Sequence, residues 1–291
     1  MAFKTVLSVT GADHSDQDVR TAASLCAEVG ADLSVLVIRS ATRPPMGDGI
    51  PVWPEQRAQD MARLENRSRQ IERLSQGMAR LEKQSREIQA LLGTMRLSYD
   101  VDTDYCDHAS VGDVVRQRAL CADLTIVGPA LLNDSDLGPL VMNGSLFETG
   151  KPVLVVPKGA EATLWPQRVL VGWDSRVEAS RAVREALDLL SHAKEVRVTL
   201  VDPEPTYNGN GAEPGADITA YLARHGVRVV VDRLPSAGQS IDTVLAQHAI
   251  DTSADMIVMG AYGHRRLRER IFGGVARWIL EKPPLPLFLA R

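Results

Sequence analysis

Met256-Ile257-Val258-Met259-Gly260-Ala261-Tyr262-Gly263, followed after nine intervening residues by Gly273-Gly274-Val275, is the stretch on which the fold turns. The four apolar residues ahead of Gly260 read as a strand buried on both faces, the mark of a parallel sheet. Beyond Gly263, Leu267, Ile271, Val275, Trp278 and Ile279 recur at helical spacing. Glycines between a strand and a helix let backbone N–H groups approach an anion, and the helix N-terminus adds a favourable dipole. The nine-residue gap is too long for the compact dinucleotide fingerprint, and the Lys-Ser/Thr of a P-loop is missing. Glycines after a strand also serve as plain turns. The spacing to a second glycine pair is what favours a phosphate loop here.

Working outward, the same strand occurs twice. Ala254-Asp255-Met256-Ile257-Val258-Met259-Gly260 echoes Ala122-Asp123-Leu124-Thr125-Ile126-Val127-Gly128. Lys4–Val9 corresponds to Arg168–Trp173, each followed by an Ala-rich helical stretch at 15–29 and 176–192. Asp32–Val37 matches Glu195–Val201, and both copies close on a Pro-led strand, Lys151–Val156 and Leu285–Leu289. Strands alternating with helices imply parallel sheets covered on both faces, and 291 residues suit two domains of about 140. The expected fold is therefore α/β, with two tandem doubly wound parallel-sheet sandwiches. They span residues 1–158 and 166–291, joined through 158–167. Such sheets bind ligands beyond the C-terminal ends of their strands, at the topological switch point. In the second copy those ends carry Asp174, Val201 and Gly260.

On these residues the chain resembles the universal stress protein family, whose nucleotide loop reads Gly, two residues, Gly, nine residues, Gly, then Ser or Thr. The resemblance covers nearly the whole chain and is specific in the second half. It implies an adenine nucleotide alpha hydrolase-like fold and ATP, or a related adenine nucleotide, bound with or without Mg²⁺ in the second domain only. It further implies that Asp174 lies beside the nucleoside and Val201 against the adenine. Met259, Gly260, Gly263, Gly273, Gly274 and Val275 match the ribose and phosphate loop. Gly274 departs from the pattern by replacing the phosphate-facing hydroxyl with a bare backbone N–H. Read without the resemblance, Asp174 suits a helix N-terminal cap and Val201 suits a core.

The first copy departs further. Gly11 stands where the acidic residue belongs, Pro129-Ala130-Leu131 follows Gly128, and Gly144-Ser145 lies three residues out of register. Scaffolding and a dimer surface are its expected roles. It also holds a proline-free segment, 55–92, in which Leu64, Ile71, Met78 and Leu92 fall at seven-residue steps with Leu74, Leu81 and Ile88 interleaved. A helix of that length spans roughly 50 Å, with Gly77 as a bend or break. Three destinations stay open for it: its own sheet or the other domain, the same helix of a second copy, or a foreign partner.

Composition limits the rest. A net charge of −4 gives no drive toward nucleic acid or anionic membrane, and no apolar run approaches the ~18 residues of a spanning helix. Cys26, Cys106 and Cys121 fit no metal spacing and read as buried thiols in a reducing, cytoplasmic setting. The six histidines form no ligand cluster, and neither a G-x-S-x-G elbow nor a Ser-Gly-Gly loop is present. Arg265, Arg266, Arg268 and Arg270 either face phosphate or form a solvated helix face. No catalytic residue is named, and turnover is expected to be slow hydrolysis or autophosphorylation at most. The functional expectation is a stress-response switch or sensor; the alternative is a nucleotide-free interaction or scaffold protein. Leu285–Leu289 would pair either with a second copy, as a homodimer, or with the other half, as an intramolecular pseudo-dimer.

Overall fold

The structure is a computed structural model describing residues 3–41, 56–203, 213–261 and 284–291. In chain order the first half comprises β1 (Thr5–Gly11), α1 (Gln17–Val29), β2 (Asp32–Ala41), α2 (Gln56–Leu92), β3 (Tyr99–Asp107), α3 (Val111–Ala119), β4 (Leu124–Val127), α4 (Pro129–Leu132), α5 (Leu137–Met142) and β5 (Val153–Val155). The second comprises β6 (Arg168–Gly172), α6 (Val177–Glu185), α7 (Leu187–His192), β7 (Glu195–Val201), α8 (Ala216–Arg224), β8 (Val229–Leu234), α9 (Ile241–Asp251), β9 (Met256–Gly260) and β10 (Leu287–Ala290).

All ten strands among the described residues join one sheet in the order β3-β2-β1-β4-β5-β10-β9-β6-β7-β8. Each half is a parallel five-stranded sheet whose chain runs outward from its first strand and then returns to the other side. The switch points lie between β1 and β4 and between β6 and β9. The halves meet where β5 and β10 pair antiparallel, Val153–Val155 against Leu287–Leu289. The pseudo-dimer expectation thus describes the geometry: the last strand of each half satisfies the edge of the other.

One buried cluster lies on each face, and both run across the seam. On one face Val6, Leu33 and Val35 meet α1 and α2, while Val196 and Val198 meet α6, α7 and α8. On the other, Leu7, Val9 and Val127 meet α3, α4 and α5, while Ile257 and Leu170 meet α9. Burial on both faces accounts for the near-continuous apolar strands. Phe288 of β10 is fully buried at the junction, its ring 6.2 Å from that of Phe3.

A matched pair of bonds relates the two halves, with a shift of one residue from the alignment expected above. Asp123 accepts the N–H groups of Lys4 and Thr5, and Asp255 accepts those of Gln167 and Arg168. Thr5 is therefore equivalent to Arg168, one position from the alignment expected above. Gly11 stays opposite Asp174.

Other expectations need correction. α2 is continuous and Gly77 does not break it. The helix lies on its own sheet there, and a Cβ at Gly77 would fall 2.6 Å from the Tyr105 ring of β3. Its buried face is Gly77, Leu81, Ser85, Ile88 and Leu92, whereas Leu74 and Met78 of the heptad stripe are exposed. The single helix expected over 176–192 is two, parted at Ala186. Of the thiols, only Cys26 is buried and Cys121 is exposed; all three are free. No helix among the described residues is long and apolar enough to cross a membrane.

Candidate functional site

The sheet brings four of the eight expected residues to one end of the second half. β6 lies between β7 and β9, with Gly172 opposite both Thr199 and Met259. Asp174 follows β6 by two residues, Val201 ends β7, and Met259-Gly260 end β9. These four flank the switch point, where a doubly wound sheet opens a crevice. Gly263, Gly273, Gly274 and Val275 lie outside the described residues, as does the Arg265–Arg270 cluster.

Each of the four has a local physical reason. A Cβ on Gly260 would fall 2.5 Å from backbone atoms of Glu178 and Ala179, so only glycine lets the first turn of α6 rest on the end of β9. Asp174 is half-exposed and accepts the Arg176 N–H at 3.0 Å, with the Arg176 guanidinium 3.7 Å away. It organises the turn ahead of α6, one step removed from the capping role weighed above. Ser175, between them, is left-handed with φ 61°, a conformation that non-glycine residues adopt mostly at turns and functional sites. Val201 and Met259 are part-buried against the core of the α9 face.

The equivalent end of the first half is closed. The route from Gly11 to α1 is three residues longer than the route from Asp174 to α6, and the extra length returns His14 onto Gly11. His14 Nδ1 accepts the Gly11 N–H at 3.0 Å, so the proton resides on Nε2, which donates to Asp134 at 2.8 Å. Asp134 in turn accepts the N–H groups of Asp136 and Leu137 at the start of α5. Burial works to raise the Asp134 carboxyl, but the Leu137 N–H and His14 together hold it below the usual range. Gln84 of α2 donates to the His14 carbonyl, and Arg39 and Arg80 pair with Asp13. Gly144-Ser145, which resembled the end of a phosphate motif, is buried in a π-helical turn. A Cβ on Gly144 would fall 2.3 Å from the Gly112 carbonyl of α3, so that glycine serves helix packing.

Asp18, His14 and Glu178 were missed by sequence reasoning. The signal for His14 was the unequal turn length between repeats. For Asp18 it was a charged side chain in phase with Val19, Ala22 and Cys26, on the sheet-facing side of α1. Among the described residues no group of three or more His, Cys, Asp or Glu could hold a metal ion.

Comparisons with known proteins agree with this fold. Residues 166–291 match the sequence model of the universal stress protein family. The universal stress protein Slr1230 of Synechocystis is 25% identical over 147 residues, covering 48% of this chain and 47% of that protein. The match thus spans about half the length of that curated relative. Among solved structures, a universal stress protein from Archaeoglobus fulgidus superposes with a TM-score of 0.65 at 18% identity, over 99% of this chain and 96% of its own. A putative universal stress protein from Pseudomonas aeruginosa gives 0.58 at 14% identity, over 99% and 93%. At such identities the likeness is one of fold, and it extends over both halves. Residues 166–291 are thus the part of the chain that matches the universal stress protein family.

Proposed function

We propose that the second half binds ATP or a related adenine nucleotide, with or without Mg²⁺, and serves as a nucleotide-dependent switch or sensor in a stress response. The observation that carries this reading is the convergence of Asp174, Val201, Met259 and Gly260 on the β6/β9 switch point. The Gly263, Gly273, Gly274 and Val275 pattern follows directly in sequence. Asp174 would bond ribose hydroxyls, Val201 would lie against the base, and Met259 with the glycine loop would hold ribose and phosphates through backbone N–H groups. Any turnover would be slow, as no base or nucleophile is assigned. One nucleotide per chain is expected, since the first half lacks the acidic residue and the second glycine. Three free thiols suit a reducing, cytoplasmic setting.

The competing reading is a nucleotide-free scaffold. Gly274 in place of Ser or Thr is the feature that favours it. Calorimetric titration of Mg-ATP into protein stripped of nucleotide by unfolding and refolding decides between the two. One site per chain at micromolar affinity supports the switch. Absence of heat from correctly refolded protein removes it and leaves the scaffold.

A further inference from the structure

The contact that closes the first half has the chemistry of anion binding. Gly128 approaches α1 so closely that a Cβ there would fall 2.4 Å from Asp18 Cγ. Asp18 turns its carboxylate onto the chain that leaves β4. The Ala130 N–H donates to Oδ1 at 3.1 Å and the Leu131 N–H to Oδ2 at 3.0 Å, each oxygen taking one backbone donor. The residue is only 1% exposed, so its charge is held by those donors with His14 nearby. Burial pushes the carboxyl up, against the pull of the Leu131 and Ala130 N–H groups. An ordinary capping aspartate serves the helix it precedes. Asp18 instead reaches donors more than a hundred residues away in sequence.

The repeat gives this contact its meaning. Gly128 and Gly260 end equivalent strands, and each touches the first turn of the helix that follows the first strand of its half. Counted from these glycines, Ala130 and Leu131 correspond in sequence to Tyr262 and Gly263. We propose that Asp18 is a built-in anion, standing in the first half where a nucleotide's phosphates stand in the second. It keeps that half in a ligand-occupied form that no nucleotide can enter. The comparison with phosphate rests on the function proposed above; the Asp18 contact does not.

Chemical rescue tests it in the full chain carrying Gly263→Val, so that nucleotide plays no part. Asp18→Ala lowers Tm, and sodium formate restores at least half of the loss while sodium chloride at matched ionic strength does not. Formate acting no better than chloride overturns the proposal. Asp18→Asn keeps the shape but not the charge. Its Ala130 and Leu131 amides are expected to exchange hydrogen roughly tenfold faster than in the parent, with no rescue by formate. Unchanged protection overturns the proposal, and this readout decides alone if Asp18→Ala does not fold. The two claims fail separately. A parent chain that takes up no ATP refutes the switch and leaves the rescue result standing. An ATP-binding chain without rescue refutes only the built-in anion.

Discussion

The two crevices of this sheet are built on the same strands and finished in opposite ways. In the second half the chain passes directly from Asp174 into α6, and Glu178, the counterpart of Asp18, is only half-buried. In the first half three more residues fold His14 back over Gly11, and Asp18 is sealed against Ala130 and Leu131. The difference teaches that the crevice of a doubly wound sheet can be closed without the sheet being dismantled. The strands, the switch point and the close-approach glycine all persist. The turn length and the setting of one carboxylate are what close it, and the backbone donors that follow β4 are given an internal partner.

The largest test concerns what the halves share. Phe288→Ala removes a fully buried ring from the seam and should cost about 3–5 kcal/mol in chemical denaturation. Both halves should melt together; loss of only the second would show that the continuous sheet does not couple them. Next comes Gly263→Val, which puts a side chain where phosphate must approach. ATP affinity should fall about a hundredfold or more, equivalent to roughly 2.7 kcal/mol, with the fold intact by circular dichroism. Unchanged affinity in calorimetry would sink the proposed loop. Gly144→Ala sharpens the contrast from the other side. Forcing a Cβ toward the Gly112 carbonyl should cost about 1–3 kcal/mol of stability and leave ATP binding unaltered.

Acid stability separates two aspartates, Asp18 fully buried and Asp232 partly so. Burial works to raise Asp232, but hydrogen bonds from His248 and Arg197 hold it below its usual value of 3.8. A depressed folded-state pKa gives stability that is complete above 3.8 and is lost as pH falls through the folded value. The stability gap between the parent and Asp232→Asn should therefore narrow only below about pH 4. Asp18, whose pKa is raised, acts with the opposite sign, favouring the fold as pH falls from the folded value toward 3.8. A gap that narrows above pH 5 would contradict the Asp232 assignment. The smallest effect is expected from Glu178→Gln beside Gly260. Relieving a negative charge near the phosphates should tighten Mg-free ATP binding about fivefold, roughly 1 kcal/mol. No change would place that carboxylate away from the phosphates.

The central strands were legible because burial on both faces leaves them almost wholly apolar, and the Ala-Asp steps at 122 and 254 fixed the repeat. β3 and β8 went unread because they are edges. Tyr99-Asp100-Val101-Asp102 alternates charge with a partly exposed face, which does not resemble a buried parallel strand. Gly77 scanned as a helix breaker because propensity says nothing of a tyrosine ring from another strand. In the site, Asp174, Val201 and Gly260 could be placed at one end of the sheet by topology alone, and Met259 through the resemblance. Asp18 could not, since an aspartate in the first turn of a helix scans as ordinary dipole compensation. Its donors are fixed only once β4 lies beside β1.

The seam between β5 and β10 also orders events in time. β5 is complete once Val155 emerges from the ribosome, yet its partner waits for Leu287, another 132 residues on. At about 5–20 residues per second that interval is roughly 7–26 s. Throughout it an apolar strand edge stands open on a half whose other strands can already pair. A strand at the middle of the finished sheet is thus made long after the neighbour it pairs with. During that interval the strand edge most available to β5 of a nascent chain is the β5 of its neighbour on the same messenger.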